Sequence, residues 1–377
     1  MDINTNDLIE SCMRAIDKKM KNLNKLNIVV VGKSGVGKST LINNIFRERL
    51  VTTGIGAPVT AHMAKICKEG FPLCIYDTRG FELGYDSQKE IRSELLKTIK
   101  EGSDSGDINK AIHCIWYCVS MASNRFEPRE IEWIKSFTEE SRIYHIPVII
   151  VLTQAFELRK AQEMKKYIES INLEVIQIVP VLAEDFEFND EYCVKAYGLD
   201  ALIEIMQEAL PSEIVDTLMN VQQVNLKLKQ KRAQAAVAAG AAAAAAAGAT
   251  PIPFSDAVLL VPTEVAMLAS ITAIFGFDIS KAVLTTLISS IIGTSGATFA
   301  GKAIVSGLLK LIPGIGSIAG CAISGVTASA MTTALGEAYI GVMTAMFKGE
   351  ITTKDLETEQ GKQKMSELFK ERLKIRK

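Results

Sequence analysis

The chain has 377 residues, 48% of them hydrophobic, with 42 Lys and Arg against 43 Asp and Glu for a formal net charge of −1. That length supports two or three domains with buried cores. The balanced charge excludes general nucleic-acid binding, which needs a basic surface to displace phosphate counterions, so no nucleic-acid partner is expected. Seven cysteines, an odd number without a C-x-x-C pair, fit a reducing compartment. Cys114 and Cys118 share an apolar run with Trp116, where core packing is expected rather than metal ligation. The first residues carry no basic segment followed by an apolar one, and the chain is expected in the cytoplasm.

Residues 1–24 read as an N-terminal helix, because Leu8, Ile9, Met13, Ile16 and Met20 recur at helical spacing. Residues 25–212 read as an α/β domain with a mostly parallel sheet. Apolar runs near 27–31, 61–67, 72–76, 111–119, 146–152 and 175–181 alternate there with amphipathic segments near 38–47, 87–101, 127–138, 158–171 and 199–210. Such alternation predicts a sheet covered on both faces, with ligand at the carboxyl ends of its strands. The runs at 61–67 and 72–76, separated by Lys68-Glu69-Gly70-Phe71, predict an antiparallel pair at the sheet edge. Residues 213–232 read as a linker helix ending in Lys227, Lys229, Lys231 and Arg232. Residues 233–349 read as an all-α domain of apolar helical hairpins that opens with an alanine tract. Turn signals then fall at Pro251 and Pro253, Pro262, Gly276-Phe277-Asp278, Gly293 to Gly296, and Pro313-Gly314. Small residues such as Gly316 with Gly320 and Ala319 with Ser324 would let helices approach closely. Residues 350–377 read as a charged C-terminal helix.

Between the first apolar run and the first amphipathic segment lies Gly32-Lys33-Ser34-Gly35-Val36-Gly37-Lys38-Ser39-Thr40, which fits G-x-x-x-x-G-K-[ST] without a gap. Glycines between strand and helix let backbone N–H groups converge on phosphates, and the helix N-terminus adds partial positive charge. Gly32, Ser34, Gly35, Val36, Gly37, Lys38, Ser39 and Thr40 are therefore the candidate phosphate-binding residues, with Lys38 reaching the β- and γ-phosphates and Ser39 offering its hydroxyl to Mg²⁺. Asp77-Thr78-Arg79-Gly80 ends a strand, which places Asp77 beside the metal and the Gly80 N–H near the γ-phosphate. Thr60, at the end of Gly56-Ala57-Pro58-Val59-Thr60, would complete the Mg²⁺ shell only when the γ-phosphate is present, which makes a switch. In this order the motifs point to GTP hydrolysis. Lys38, Thr60, Arg79 and Gly80 form the candidate catalytic set, and Ser39, Thr60 and Asp77 the candidate metal ligands.

The set Gly32 to Ser39, Thr60 and Asp77 to Gly80 resembles the translation-factor-related GTPase superfamily, especially its septin-like, chloroplast-import-receptor-like and immunity-related branches. The C-terminal half resembles a bacterial membrane-associated domain found fused to such GTPases, through Gly248-Ala249-Thr250-Pro251-Ile252-Pro253-Phe254-Ser255-Asp256, Leu311-Ile312-Pro313-Gly314-Ile315-Gly316 and Thr333-Ala334-Leu335-Gly336. The resemblance implies GTP and Mg as cofactors, hydrolysis to GDP and phosphate, and a nucleotide-dependent switch or remodelling factor at a membrane. A nucleotide-dependent homodimer is a further candidate partner. Two departures stand out. Where the guanine-reading Asn-Lys-x-Asp is expected, the chain has Thr153-Gln154-Ala155-Phe156, with Glu157 one position late. Thr153 and Gln154 remain the base-side candidates, and Ala183 would give a backbone N–H to the guanine carbonyl. Phe81 follows Gly80 where many small GTPases carry a water-orienting glutamine, so hydrolysis is expected to be slow unless Arg79, Arg47, Arg49 or a partner chain supplies a group.

Charge-free stretches at 282–301 and 311–336 reach the ~20 residues that a bilayer-crossing helix needs, but glycines and Pro313 interrupt both. Basic residues flank the apolar domain on both sides, which makes membrane lipid an expected partner and membrane association the expected location. The alternatives are a soluble assembly GTPase acting on the ribosome or another complex, and a nucleotide-dependent scaffold with little hydrolysis.

Overall fold

A computed structural model describes residues 5–50, 56–58, 62–78, 85–123, 125–248, 256–292, 325–355 and 358. The chain divides into two compact units, one formed by residues 23–225 and the other by residues 1–22 together with 226–377.

The first unit is built on a seven-stranded sheet in the order β2-β3-β4-β1-β5-β6-β7. Its strands are β1 (Leu26–Val31), β2 (Gly56–Pro58), β3 (Met63–Cys67), β4 (Leu73–Thr78), β5 (Cys114–Ser120), β6 (Val148–Thr153) and β7 (Gln177–Pro180). β1, β4, β5, β6 and β7 run parallel, while β3 pairs antiparallel with β4 and β2 antiparallel with β3. β1 is buried at every position because it is central and both sheet faces are covered, and a continuous Ile-Val-Val-Val run suits that place. The expected antiparallel pair is present, but β2 rather than β3 is the outer strand. Gly56, Ala57 and Pro58, read in the sequence as a flexible stretch, form it; a proline is tolerated at an edge that needs no ladder donor.

Helices α2 (Lys38–Ile45), α3 (Tyr85–Asp104), α4 (Pro128–Ser141), α5 (Leu158–Ser170), α6 (Leu199–Ala209) and α7 (Ser212–Val221) complete this unit, with α1 (Thr5–Lys21) belonging to the other. α4 starts at a capping box of Glu127 and Glu130 with Pro128 in its first turn. On one face of the sheet Tyr117, Trp133 and Phe137 form an aromatic ladder. On the other, Phe46 stacks on Trp116 with ring centroids 5.9 Å apart. A two-stranded hairpin, β8 (Phe186–Asn189) and β9 (Tyr192–Val194), follows β7 and has no counterpart in the sequence reading.

Cys67 and Cys74 lie opposite each other across β3 and β4, with Cα atoms 4.5 Å apart, and their sulfurs are bonded. This corrects the expectation of reduced thiols only. A C-x-x-C search cannot see a pair that antiparallel register brings together.

At the start of the sheet, Asn27 N–H donates to His113 Nδ1 at 3.0 Å, and Asn27 Nδ2 donates to the carbonyls of Asn109 and Ala111. Burial pushes the His113 pKa down to about 4. A histidine held neutral in the folded state stabilises fully above its unfolded pKa of about 6.5, and that stability is lost as pH falls toward the folded value. Unfolding free energies from urea titration are therefore expected to fall between pH 7 and pH 5, by on the order of 2 kcal/mol for this residue, and His113→Gln should flatten that slope. An unchanged slope in the variant would show that other groups carry the pH dependence.

The second unit joins α1 to α8 (Leu226–Gly248), α9 (Asp256–Phe275), α10 (Lys281–Ile292) and α11 (Gly325–Phe347). Residues 213–232 are not one linker helix. α7 ends at Val221, where Gln222 turns extended, and α8 then runs through the alanine tract without a break at 232. Residues 1–22 likewise form part of the helical unit, with α1 against α9 and α10. Pro262 lies inside α9 instead of ending a segment, since Val265, Leu268, Ile271 and Phe275 bury their side chains along the same helix. Close approach of small residues does shape the packing. A Cβ added at Gly336 would come within 2.4 Å of Val237 and 3.0 Å of Met267, and one at Gly325 within 2.5 Å of the Ala245 carbonyl. The pairs singled out in the sequence, Gly316 with Gly320 and Ala319 with Ser324, lie outside the described residues, as does the tail read as a helix, beyond 358.

Lys229 departs most from expectation. It is fully buried, and its Nζ donates to the carbonyls of Ile274 and Phe275 at 2.9 and 3.0 Å, where α9 ends. Its ammonium satisfies two carbonyls that the helix leaves without an intrahelical donor, so it does not serve as part of a surface basic flank. Among the described residues, no helix is long and apolar enough to cross a membrane.

Candidate functional site

The site lies at the carboxyl ends of β1, β4, β5 and β6, where β1 passes into α2. Gly32 has φ +153° and sits against β5, so that a Cβ there would stand 2.7 Å from the Cys118 carbonyl oxygen. Glycine is required by contact at that point. Gly35 and Gly37 have φ of +77° and +92°, and nothing lies within 4 Å of a Cβ built on Gly35. α2 begins directly after Gly37, with no side-chain cap and no acidic residue in its first turn. A helix N-terminus in that state presents N–H groups and partial positive charge to an anion. Lys38 Nζ donates back to the carbonyls of Gly32 and Lys33 at 2.7 and 3.0 Å, so its charge is folded over the loop. Ser39 is exposed on the same first turn, and Ser34 and Thr40 flank it along the loop and helix.

Asp77 stands beside β1, in register with Val30, and is partly buried. Burial raises the Cys118 thiol to about 12, with Lys38 pulling it down and Asp77 pushing it up, so both charges bear on one point of the sheet end. Among the described residues no cluster of three or more His, Cys, Asp or Glu side chains could hold a metal. The donors present fit a hard cation that takes one hydroxyl, one carboxylate, phosphate oxygens and water, which is how Mg²⁺ is usually held beside a nucleotide. Ser39 and Asp77 would hold it. Thr60, Arg79 and Gly80, with Phe81, lie outside the described residues.

The segment after β6 is tied to the phosphate loop. Thr153 Oγ1 is buried and donates to the Val36 carbonyl at 2.5 Å, with the Val119 carbonyl at 3.1 Å. Gln154, in the left-handed region with φ 53°, donates from Nε2 to the Gly35 carbonyl at 3.2 Å and accepts from Ser120 Oγ at 2.5 Å. The side chains of Thr153 and Gln154 therefore fix the loop's shape. Ala183 follows Leu182, which exchanges backbone hydrogen bonds with Tyr197. Sequence reasoning missed Ser120, which ends β5 in line with these groups and could have been found from its place at a parallel strand's carboxyl end. It also missed the brace on Lys33, whose Nζ lies 3.1 Å from Glu127 and 3.7 Å from Glu130. Arg47, weighed as a catalytic group, is engaged elsewhere: its guanidinium donates to the Asn220 carbonyl and Oδ1 and lies 4.8 Å from the Phe71 ring centroid.

Residues 27–154 match the family described as 50S ribosome-binding GTPase, and residues 215–377 match a domain of unknown function, DUF697. The chain is 30% identical over 155 residues to the probable GTP-binding protein EngB of Lactococcus lactis, covering 41% of this chain and 75% of that one. It is 28% identical over 177 residues to human neuronal-specific septin-3, covering 40% of this chain and 49% of the septin. A crystal structure of dimerization-deficient mutant Toc33 from Arabidopsis thaliana, 18% identical, covers 56% of this chain and 93% of that chain with a TM-score of 0.32. With a phosphate loop, a mostly parallel sheet and the EngB match in hand, the chain belongs to the P-loop GTPase family, its GTPase domain joined to a helical domain of unknown function.

Proposed function

We propose that residues 23–225 bind GTP with Mg²⁺ and hydrolyse it to GDP and phosphate, and that the helical unit is the effector of this switch at a membrane surface. The observation that carries the reading is the uncapped N-terminus of α2 behind Gly37, with Lys38 folded between loop carbonyls that phosphate oxygens would replace. In this reading Ser39 and Asp77 hold the metal, and Thr60, Arg79 and Gly80 respond to the γ-phosphate. Arg47 is engaged with Asn220 and Phe71, which leaves Arg79, Arg49 or a second copy as the source of a group that stabilises the transition state. Membrane action is supported by the apolar, close-packed helices α9 and α11.

Single-turnover GTP hydrolysis measured across rising protein concentration tests the catalytic part. The rate per molecule should climb as copies associate, and a rate near zero at every concentration would favour a nucleotide-binding scaffold. Flotation with anionic liposomes, with GDP or a non-hydrolysable GTP analogue, tests the location. A chain that floats in neither state but sediments with ribosomal subunits would favour an assembly GTPase.

A further inference from the structure

The base side of the nucleotide site has a definite composition. Ala155 N–H donates to the Val181 carbonyl at 3.2 Å, and Tyr197 Oη donates to the Ala155 carbonyl at 2.6 Å. These bonds set residues 153–157 beside 181–183, one residue beyond Gln154, which itself reaches the phosphate loop. At 156, where a carboxylate reading the guanine edge is expected, stands a half-buried phenylalanine. Its ring lies 4.3 Å from the Phe186 ring and 6.4 Å from the Phe188 ring, so the β8–β9 hairpin backs it with an aromatic wall. Phe188 and Tyr192 extend that wall and are 54% and 60% exposed.

Two of the neighbouring acids are engaged. Glu157 accepts from Lys160 at 2.7 Å. Asp185 accepts from Lys195 Nζ and from the Ala196 N–H, both at 2.8 Å, and these bonds lower its pKa. Glu184 is exposed on the strand exit.

We propose that Phe156, braced by Phe186 and Phe188, is the nucleobase contact, and that it holds a purine nucleotide by stacking without reading the guanine 2-amino group. This rests on the reading of the loop at 32–40 as the phosphate site. An aromatic face accepts any base, because every base offers a π-face. A carboxylate that takes the guanine N1–H and 2-amino group adds charge-assisted bonds that discriminate by roughly tenfold or more. Without them, guanine and hypoxanthine nucleotides become equivalent.

Equilibrium titration of the full chain with GDP and with IDP, in the presence of Mg²⁺, decides the matter. Their dissociation constants should agree within about threefold, and Phe156→Ala should weaken both by roughly tenfold. Phe156→Asp should create a preference for GDP over IDP of about tenfold. If that variant fails to fold, the wild-type ratio alone decides. A wild-type preference for GDP above threefold, or a Phe156→Ala chain that binds both as well as wild type, would overturn the proposal while leaving the phosphate site standing. Failure of both nucleotides to bind the wild-type chain would overturn the phosphate site and this proposal together.

Discussion

Lys38→Ala should weaken GTP and GDP binding by about 100-fold or more in equilibrium titration, while leaving the unfolding free energy of the GTPase unit within about 0.5 kcal/mol of wild type. The asymmetry follows from what Lys38 touches. Its Nζ donates to the carbonyls of Gly32 and Lys33, which lie on a partly exposed loop and can hydrate once the ammonium is gone. A bound polyphosphate has no such substitute, since two charge-assisted bonds at about 1.5–3 kcal/mol each are lost in a site that partly excludes water. Retained wild-type affinity in this variant would refute the assigned pocket. A parallel collapse in stability would recast Lys38 as a structural residue.

Lys229→Met should destabilise the helical unit by about 3 kcal/mol, and Lys229→Ala by more. Lys229 is fully buried with its Nζ on the Ile274 and Phe275 carbonyls and 5.8 Å from the Phe347 ring centroid. Methionine keeps much of the volume but removes the donors, and each buried acceptor left without one costs about 1–3 kcal/mol. Alanine adds a cavity. Hydrogen exchange followed by mass spectrometry over 265–275 would show where the loss falls, because α9 should fray from its C-terminal end. Unchanged protection in both variants would mean that water satisfies those carbonyls as well as the ammonium does.

What could be read from the chain before its structure follows a physical line. The phosphate loop was legible because its chemistry is local: glycine spacing, a preceding apolar run and a following helix lie within twenty residues. The parallel sheet was legible because strands buried on both faces must be continuous apolar runs. Lys229 was not legible, because its four-carbon stem and charge look the same in a surface cluster as in a buried cap until the carbonyls of Ile274 and Phe275 are placed beside it. Pro262 misled for the opposite reason, since a local breaker was overridden by the apolar packing that holds α9 together. The β8–β9 hairpin is short and exposed, with little buried apolar pattern to mark it. The Cys67–Cys74 pair and the engagement of Arg47 with Asn220 depend on register and on contacts 173 residues apart, which no local signal encodes.

The most direct test of the account is a crystal structure of the full chain with a non-hydrolysable GTP analogue and Mg²⁺. The triphosphate should lie against the backbone N–H groups of residues 35–39, with Lys38 Nζ moved from the Gly32 and Lys33 carbonyls onto its oxygens and the metal between Ser39 and Asp77. Nucleotide bound in another cavity, with Lys38 still on those carbonyls, would contradict it.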